Sequence, residues 1–360
     1  MKFPFYFEVR SKTLPLILVL FFIGFNSFSQ EKKSNYNLLW QISGNGLTKP
    51  SYLFGSMHVK DKRAFNFSDS LINAIESSSG FVLEVHPDSL MKSFFAANVE
   101  RTGKKKITEL ITAEQIAELV KRFEAKNGFA PDSAMLDNPI LVASLMKNHI
   151  NRKDDMQTFV DAHLYGIARI LKKKIYGLEK PEDQVKLLYG SDAKIAGLFD
   201  IDEEAAAEDI EKMVDVYAKG DLNGITGLLS EETEDQLDLV NRNEVMATGI
   251  MKLMQTDNLF AVVGASHIAG EKGIIALLKK AGYSLRPVTA TFTGVAKKFK
   301  VDYAKMDWVK HKDVSENFEV EFPAEPIITK AIIGKSYVSA DIITNMHYAV
   351  QSSYTGLSRK

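Results

Sequence analysis

Hydrophobic and polar positions alternate first between Leu38 and Val59, where "LLWQIS" and "SYLF" flank the turn-prone "GNGLTKP", a pattern that predicts a hairpin. A helix is expected at about 69–78, with Leu71, Ile72 and Ile75 on one face, stopped by Gly80 before the near-continuous apolar strand "FVLEV". Such strands are usually buried on both faces. From Thr108 to about Met254 the periodicity is mostly helical. "ITAEQIAELVKRFEAKNG" has a cap at Thr112, apolar residues at Ile116, Leu119, Val120 and Phe123, and a terminating Gly128. "DDMQTFVDAHLYGIARILKKKI" is a second amphipathic stretch whose trailing lysines suit a helix C-terminus. Lysine runs 104–106 and 172–174 read as solvated ends rather than binding patches.

Strand character returns in "LFAVVGASH", followed by the helix "GEKGIIALLKKAG" with Ile274, Leu277, Leu278 and Ala281 on one face, then Gly282 and the strand "YSLRPV". This order repeats the first segment: apolar strand, Gly-x-x-His, loop, amphipathic helix, glycine, strand. The repetition predicts an α/β (α+β) fold, two α/β halves around a central mixed sheet with additional helices from the middle of the chain. Beyond about residue 295, "FEVEFP", "KSYVSA" and "MHYAV" read as a small β-rich C-terminal segment, "EVEFPAEP" being an edge strand ended by proline.

Lys2, Arg10 and Lys12 precede an apolar run from Leu14 to Phe25 and then Ser27-Phe28-Ser29, the three-part layout of a secretory signal peptide. As a transmembrane anchor the run falls well short of the ~20 residues needed. The expected division is therefore signal peptide 1–29, main domain 30–294 and extension 295–360. The mature chain is expected to be exported, periplasmic or extracellular, without a transmembrane anchor. The chain has 360 residues, a formal net charge of -1 and no cysteine. There is no basic excess to recruit nucleic acid, and neither a lipid-anchoring cysteine nor a disulfide framework.

Candidate chemistry starts at two motifs, Gly55/His58 and Gly264/His267. Chance alone gives about 0.4 Gly-x-x-His matches at this composition, so the motif by itself is weak. Context strengthens it: both occurrences leave the end of a buried-looking strand, where open α/β sheets place ligands, and glycine permits a tight turn there. Glu84, inside "FVLEVH", is an acid that needs a partner if buried, on a strand expected beside the first one, with His86 on the same face. Two histidines and a carboxylate make a divalent-metal set. Equally, His58 and His267 read as hydrogen-bonded loop residues, with Glu84 salt-bridged to a residue such as Arg242. His149, His163, His311 and His347 have no such context. Without a cysteine, a Gly-x-Ser-x-Gly elbow, a phosphate-binding glycine loop or a His-Glu-x-x-His helix, metal-activated water is the most economical enzymatic mechanism left.

At these residues the sequence resembles the TraB/GumN family, which includes the TIKI metalloproteases. The marks are "LLWQISGNGLTKPSYLFGSMHV", "FVLEV", "GIARILKKKIYGLEKPEDQ", "NRN" at 241–243 and "FAVVGASHIAGEKGIIALLKKAGYSLRPV", covering about residues 37–290. The resemblance implies a fold like that of the TIKI and erythromycin-esterase/ChaN-like proteins. Family motif positions carry over to Gly55 and His58, Glu84, Glu179 with Gln184, Arg242 with Asn243, and Gly264 with His267. It implies a metal-dependent hydrolase acting on a peptide or protein substrate, with manganese or cobalt favoured and zinc possible. His58 and His267 would be ligands, Glu84 a third ligand or general base, Arg242 and Asn243 oxyanion or substrate-binding groups, and Glu179 and Gln184 helix-packing support. A non-catalytic peptide-sequestering or haem/iron-binding protein is the alternative. The extension after 295 lies outside the shared region, and Ser56 stands where many relatives have threonine.

Overall fold

A computed structural model of the chain describes residues 37–99, 105–139, 142, 146, 155–189, 191–197, 199, 203–228, 233–298, 302, 305–331, 334–343 and 346–352. The expected signal peptide, 1–29, and His149 lie outside them. The hairpin pairs β1 (Leu39–Ser43) with β2 (Ser51–Ser56), antiparallel, Ile42 opposite Ser51. Helix α1 (Asp69–Ser77), capped by the Ser68 hydroxyl on the Leu71 amide, buries Leu71, Ile72, Ala74 and Ile75. It ends at Ser78, and Gly80 instead opens β3 (Gly80–Leu83). Helix α2 (Pro87–Val99) follows, then α3 (Ala113–Asn127), with the expected Thr112 cap, a reciprocal Gln115 bond and Gly128 at φ +77°.

Helix α4 (Val160–Ile170) leads into a strand the sequence pattern did not announce, β4 (Lys174–Gly177). The lysines between them are ends but not of one helix. Lys173 donates to the carbonyls of Glu76 and Ser78, at the end of α1, and Lys174 pairs with Asp257. Helices α5 (Pro181–Tyr189), α6 (Asp192–Gly197), α7 (Glu203–Ala218), α8 (Leu222–Leu228) and α9 (Thr233–Leu253) complete the middle of the chain. Then come β5 (Leu259–Gly264), α10 (Ile274–Lys280) and β6 (Ser284–Pro287).

These strands form one mixed sheet in the order β4-β3-β5-β2-β1-β6. Strands β4, β3, β5 and β2 are parallel neighbours, and β1 is antiparallel to both β2 and β6. The α/β expectation holds, but the two repeated segments interleave: β3 lies beside β5, not beside β2 as a single connecting helix suggested. Phe54, Phe260 and Phe81 stack across those three strands at 6.2 and 5.8 Å between ring centres. Residues Phe81–Leu83 and Leu259–Val263 are buried, the pattern of strands covered on both faces. A smaller cluster of Ile107, Leu119, Phe123, Val142, Ile195 and Phe199 lies among the middle helices.

Past residue 295 the chain forms a hairpin of β7 (Val309–Asp313) and β8 (Phe318–Phe322), the latter ending before Pro323, and a sheet of β9 (Ile327–Ala331), β10 (Gly334–Asp341) and β11 (Met346–Gln351). The β7–β8 pair is two-stranded, so "EVEF" is an edge. This segment packs on the main core through Met306 and Ile343 and is tied to α4, where Arg169 donates to the carbonyls of Asp307 and Pro323. Among the described residues, no helix is long and apolar enough to cross a membrane.

Candidate functional site

Parallel register aligns the ends of β2 and β5, Ser56 opposite Gly264, and sets the end of β3 on the other side of β5. The carboxyl edge of β5 is therefore walled by the chain leaving β2 and β3. A 3-10 turn, Ala265–His267, carries the second motif histidine into the interior, where His267 is 3% exposed. Its Nδ1 lies 2.7 Å from Asn243 Oδ1, while Asn243 Nδ2 donates to the Lys272 carbonyl at 2.9 Å. Because the amide nitrogen is committed to a carbonyl, Oδ1 is the acceptor and His267 Nδ1 carries the hydrogen. Nε2 thus keeps its lone pair, 3.8 Å from Glu84 Oε1, too far for a hydrogen bond. Burial holds His267 below the ordinary histidine value, against the opposing pull of Glu84, so the ring is neutral near pH 7.

Glu84 sits just beyond the end of β3, not within it. Its Oε1 accepts the Gly264 amide at 2.6 Å and its Oε2 accepts Arg242 at 2.9 Å. Its backbone carbonyl accepts the amides of Leu178 and Glu179, at 3.0 and 2.7 Å, which draws the chain leaving β4 alongside. Glu179 consequently enters the cluster directly. The Arg242 fork gives it two bonds, 2.8 Å from Nε and 3.0 Å from the nitrogen that also reaches Glu84, and Gln184 adds a third at 2.7 Å. Burial would lower the Arg242 guanidinium, but the bond to Glu179 and the two carboxylate charges carry it above its ordinary value.

Helix α9 therefore serves the cluster with consecutive residues, Arg242 toward the carboxylates and Asn243 toward His267. The Glu84–Arg242 pairing is the salt bridge weighed from the sequence. Asn243 is 2% exposed and occupied with His267 and Lys272, which makes it a positioning group rather than one facing a substrate. Glu179 and Gln184 are members of the cluster rather than packing behind it. Beside them opens a cleft of about 460 Å³ between α5, α6 and α9, lined by Glu179, Gln184, Lys186, Lys194, Asp238 and Arg242.

The motif glycines are explained by space, not by turning. Gly264 has φ -54° and ψ 137°, a backbone any residue adopts, but a Cβ there would stand 3.2 Å from Glu84 Oε1 and 3.4 Å from the His267 ring. Gly55, inside β2, would meet Ala265 and Ile268 at 3.1–3.2 Å, and its carbonyl accepts the Tyr217 hydroxyl.

His58 keeps different company. Its side chain is 65% exposed, its Nδ1 lies 3.2 Å from Asp161 Oδ2, and its ring stacks on Phe159 at 3.7 Å. None of these partners is shared with His267, and among the described residues no three His, Asp or Glu side chains gather as a metal-binding group. Phe159 and Asp161 were not singled out in the sequence: they fall at the start of an amphipathic helix, where an acid is ordinary. His86 leaves Nδ1 buried without a bond, and His311 pairs with Glu325 in the C-terminal segment.

This is an α/β domain with an acid, guanidinium and imidazole cluster at the carboxyl ends of parallel strands, where such sheets receive ligands. The chain belongs to the TraB/PrgY/gumN family, whose model matches residues 38–287. Neither the curated proteins nor the solved structures compared with the chain gave a match.

Proposed function

We propose that this chain is an exported metal-dependent hydrolase acting on peptides, centred on His267 and Glu84. One observation carries the reading: a buried neutral imidazole whose Nε2 lone pair stands 3.8 Å from a carboxylate clamped on its other side by arginine. That separation is within the span of two donors each about 2.1 Å from one ion. An Nδ1–H held by an amide oxygen is the outer-shell arrangement that presents Nε2 for ligation. Imidazole with carboxylate suits manganese, cobalt or zinc. A bound ion supplies an acidified water and a polarised carbonyl.

The protein's own groups do the rest. Asn243 fixes the His267 tautomer. Gly264 N–H and Arg242 fix both oxygens of Glu84, which leaves Oε1 facing His267 as ligand or as acceptor of a water proton. Arg242 spends Nε and one terminal nitrogen on the two glutamates. Its other terminal nitrogen has no hydrogen bond among the described residues, and Arg242 lines the cleft, where it serves a substrate carbonyl or carboxylate. Both charges line the cleft, Glu179, Asp183 and Asp238 with Lys186, Lys194 and Arg242, which suits the alternating polar groups of an extended peptide.

The test is metal content by elemental mass spectrometry, with peptide cleavage, for the parent beside His267→Ala and Glu84→Gln. A single ion per chain with turnover in the parent, both lost in the folded variants, is expected. Equal metal content in all three would overturn the site.

A further inference from the structure

We infer that segment 156–161 is a clamp that sets the tautomer and direction of His58, with Asp161 as its positioning carboxylate, and that the C-terminal β segment holds this clamp in place. The clamp stands apart from the reading above, which is centred on His267 and Glu84 and gives His58 no role. Among the described residues, the clamp's grip on the loop after β2 includes four contacts. The Met156 amide donates to the Lys60 carbonyl at 2.8 Å, Phe159 stacks on the His58 ring 17° from parallel, the Lys60 ammonium lies 5.5 Å over the Phe159 ring, and Asp161 bonds His58 Nδ1. The far side of the loop is pinned separately by Arg63, which bridges Asp61 to Glu211 and Asp215 of α7.

A carboxylate can only accept, so a neutral His58 bonded to Asp161 carries its hydrogen on Nδ1 and its lone pair on Nε2. That is the tautomer Asn243 imposes on His267. The two Gly-x-x-His histidines thus share one chemical state, fixed in each case by an oxygen from a helix other than the one that directly follows the motif's own strand. An unconstrained neutral imidazole favours the opposite tautomer, Nε2–H, so the state depends on the clamp.

The clamp in turn hangs on the C-terminal segment. Thr158, 3% exposed and next to Phe159, donates its hydroxyl to the Ile342 carbonyl at 2.7 Å, just past β10. Ile343, beside it, is fully buried in the main core. The β-rich extension is therefore attached at the one turn from which Phe159 and Asp161 reach His58, which gives it a role in presenting that histidine.

The test uses the full chain with nitrogen-15 histidine and long-range proton–nitrogen correlation at about pH 8.5, two units above the ordinary histidine value. His58 signals are identified by their loss in His58→Gln. The parent should hold His58 predominantly as Nδ1–H. Asp161→Ala should move it to mostly Nε2–H, Asp161→Asn, which still offers an oxygen, should retain Nδ1–H, and Thr158→Val should give a mixture. His267 signals should stay put in all three, which reports that the fold is intact. An unchanged His58 tautomer in Asp161→Ala overturns the clamp, and an unchanged one in Thr158→Val overturns the role of the extension. Adding zinc to the parent then separates the two proposals. His267 nitrogens that do not respond to zinc bring down the metal reading while the clamp stands.

Discussion

His163 gives the most quantitative handle on this structure. It lies on α4 two residues after Asp161, stacked on Phe67 at 5.7 Å and edge-on to Phe65 at 5.5 Å. Burial pushes its pKa down from the ordinary histidine value to about 4. The unfolded chain, with a value near 6.5, binds the proton first as pH falls, so stability is full above about 6.5 and is lost as pH drops toward 4. The full shift corresponds to about 3 kcal/mol, of which about 2 kcal/mol is gone by pH 5. The assay is urea unfolding at pH 7, 6 and 5, followed by tryptophan fluorescence, for the parent and for His163→Phe. Phenylalanine keeps the aromatic stack and cannot take the proton, so its packing cost should stay within about 1.5 kcal/mol and be independent of pH. The variant should lose about 2 kcal/mol less than the parent between pH 7 and 5. Equal losses in both proteins, or a His163 that titrates near 6.5, would refute the argument.

Two further perturbations address the cluster. Arg242→Met removes the fork between two carboxylates, one of them with a side chain only 6% exposed, and should cost about 3–5 kcal/mol in urea unfolding at pH 7; a loss under about 1 kcal/mol would mean the pair is solvated. Gly264→Ala puts a methyl 3.2 Å from Glu84 Oε1, so the carboxylate must shift by a few tenths of an ångström and the hydrogen bond it accepts from the residue 264 amide weakens, at about 1–3 kcal/mol, with reduced metal uptake; a crystal structure with Glu84 unmoved would contradict this.

What could be read from the sequence was local or carried by motif. The hairpin, the Thr112 and Gly128 ends of α3, and the apolar strands Phe81–Leu83 and Leu259–Val263 follow from turn residues, caps and periodicity that act within a few residues. Strand β4 was missed because "KIYG" is four residues of intermediate or high exposure behind a lysine run, with no buried face to give it a period. Glu179 was singled out by the resemblance, but as packing support, and its direct bonds to Arg242 escaped for a different reason. Its place follows from two backbone bonds to the Glu84 carbonyl, between segments about 95 residues apart, and side-chain patterns do not report where a carbonyl's partner comes from.

The same limit explains why two copies of one motif end in different surroundings. Each puts a histidine three residues after a glycine at the carboxyl end of a parallel strand, and nothing in either stretch distinguishes an interior histidine from an exposed one. Sheet order does. β5 runs between β3 and β2, so the chain leaving it is enclosed on both sides, collects Glu84 from one neighbour and meets α9 from above. β2 lies between β5 and the antiparallel β1, whose chain leaves at the opposite end to enter β2, so on this side the edge carries only the chain coming into β1 at Leu38, whose carbonyl accepts the Gly55 amide, among the described residues. His58 is therefore left at the rim, where an outside segment must hold it. Interleaving the two halves, rather than setting them side by side, is what assigns the second motif to the centre of the site and makes the first dependent on Asp161.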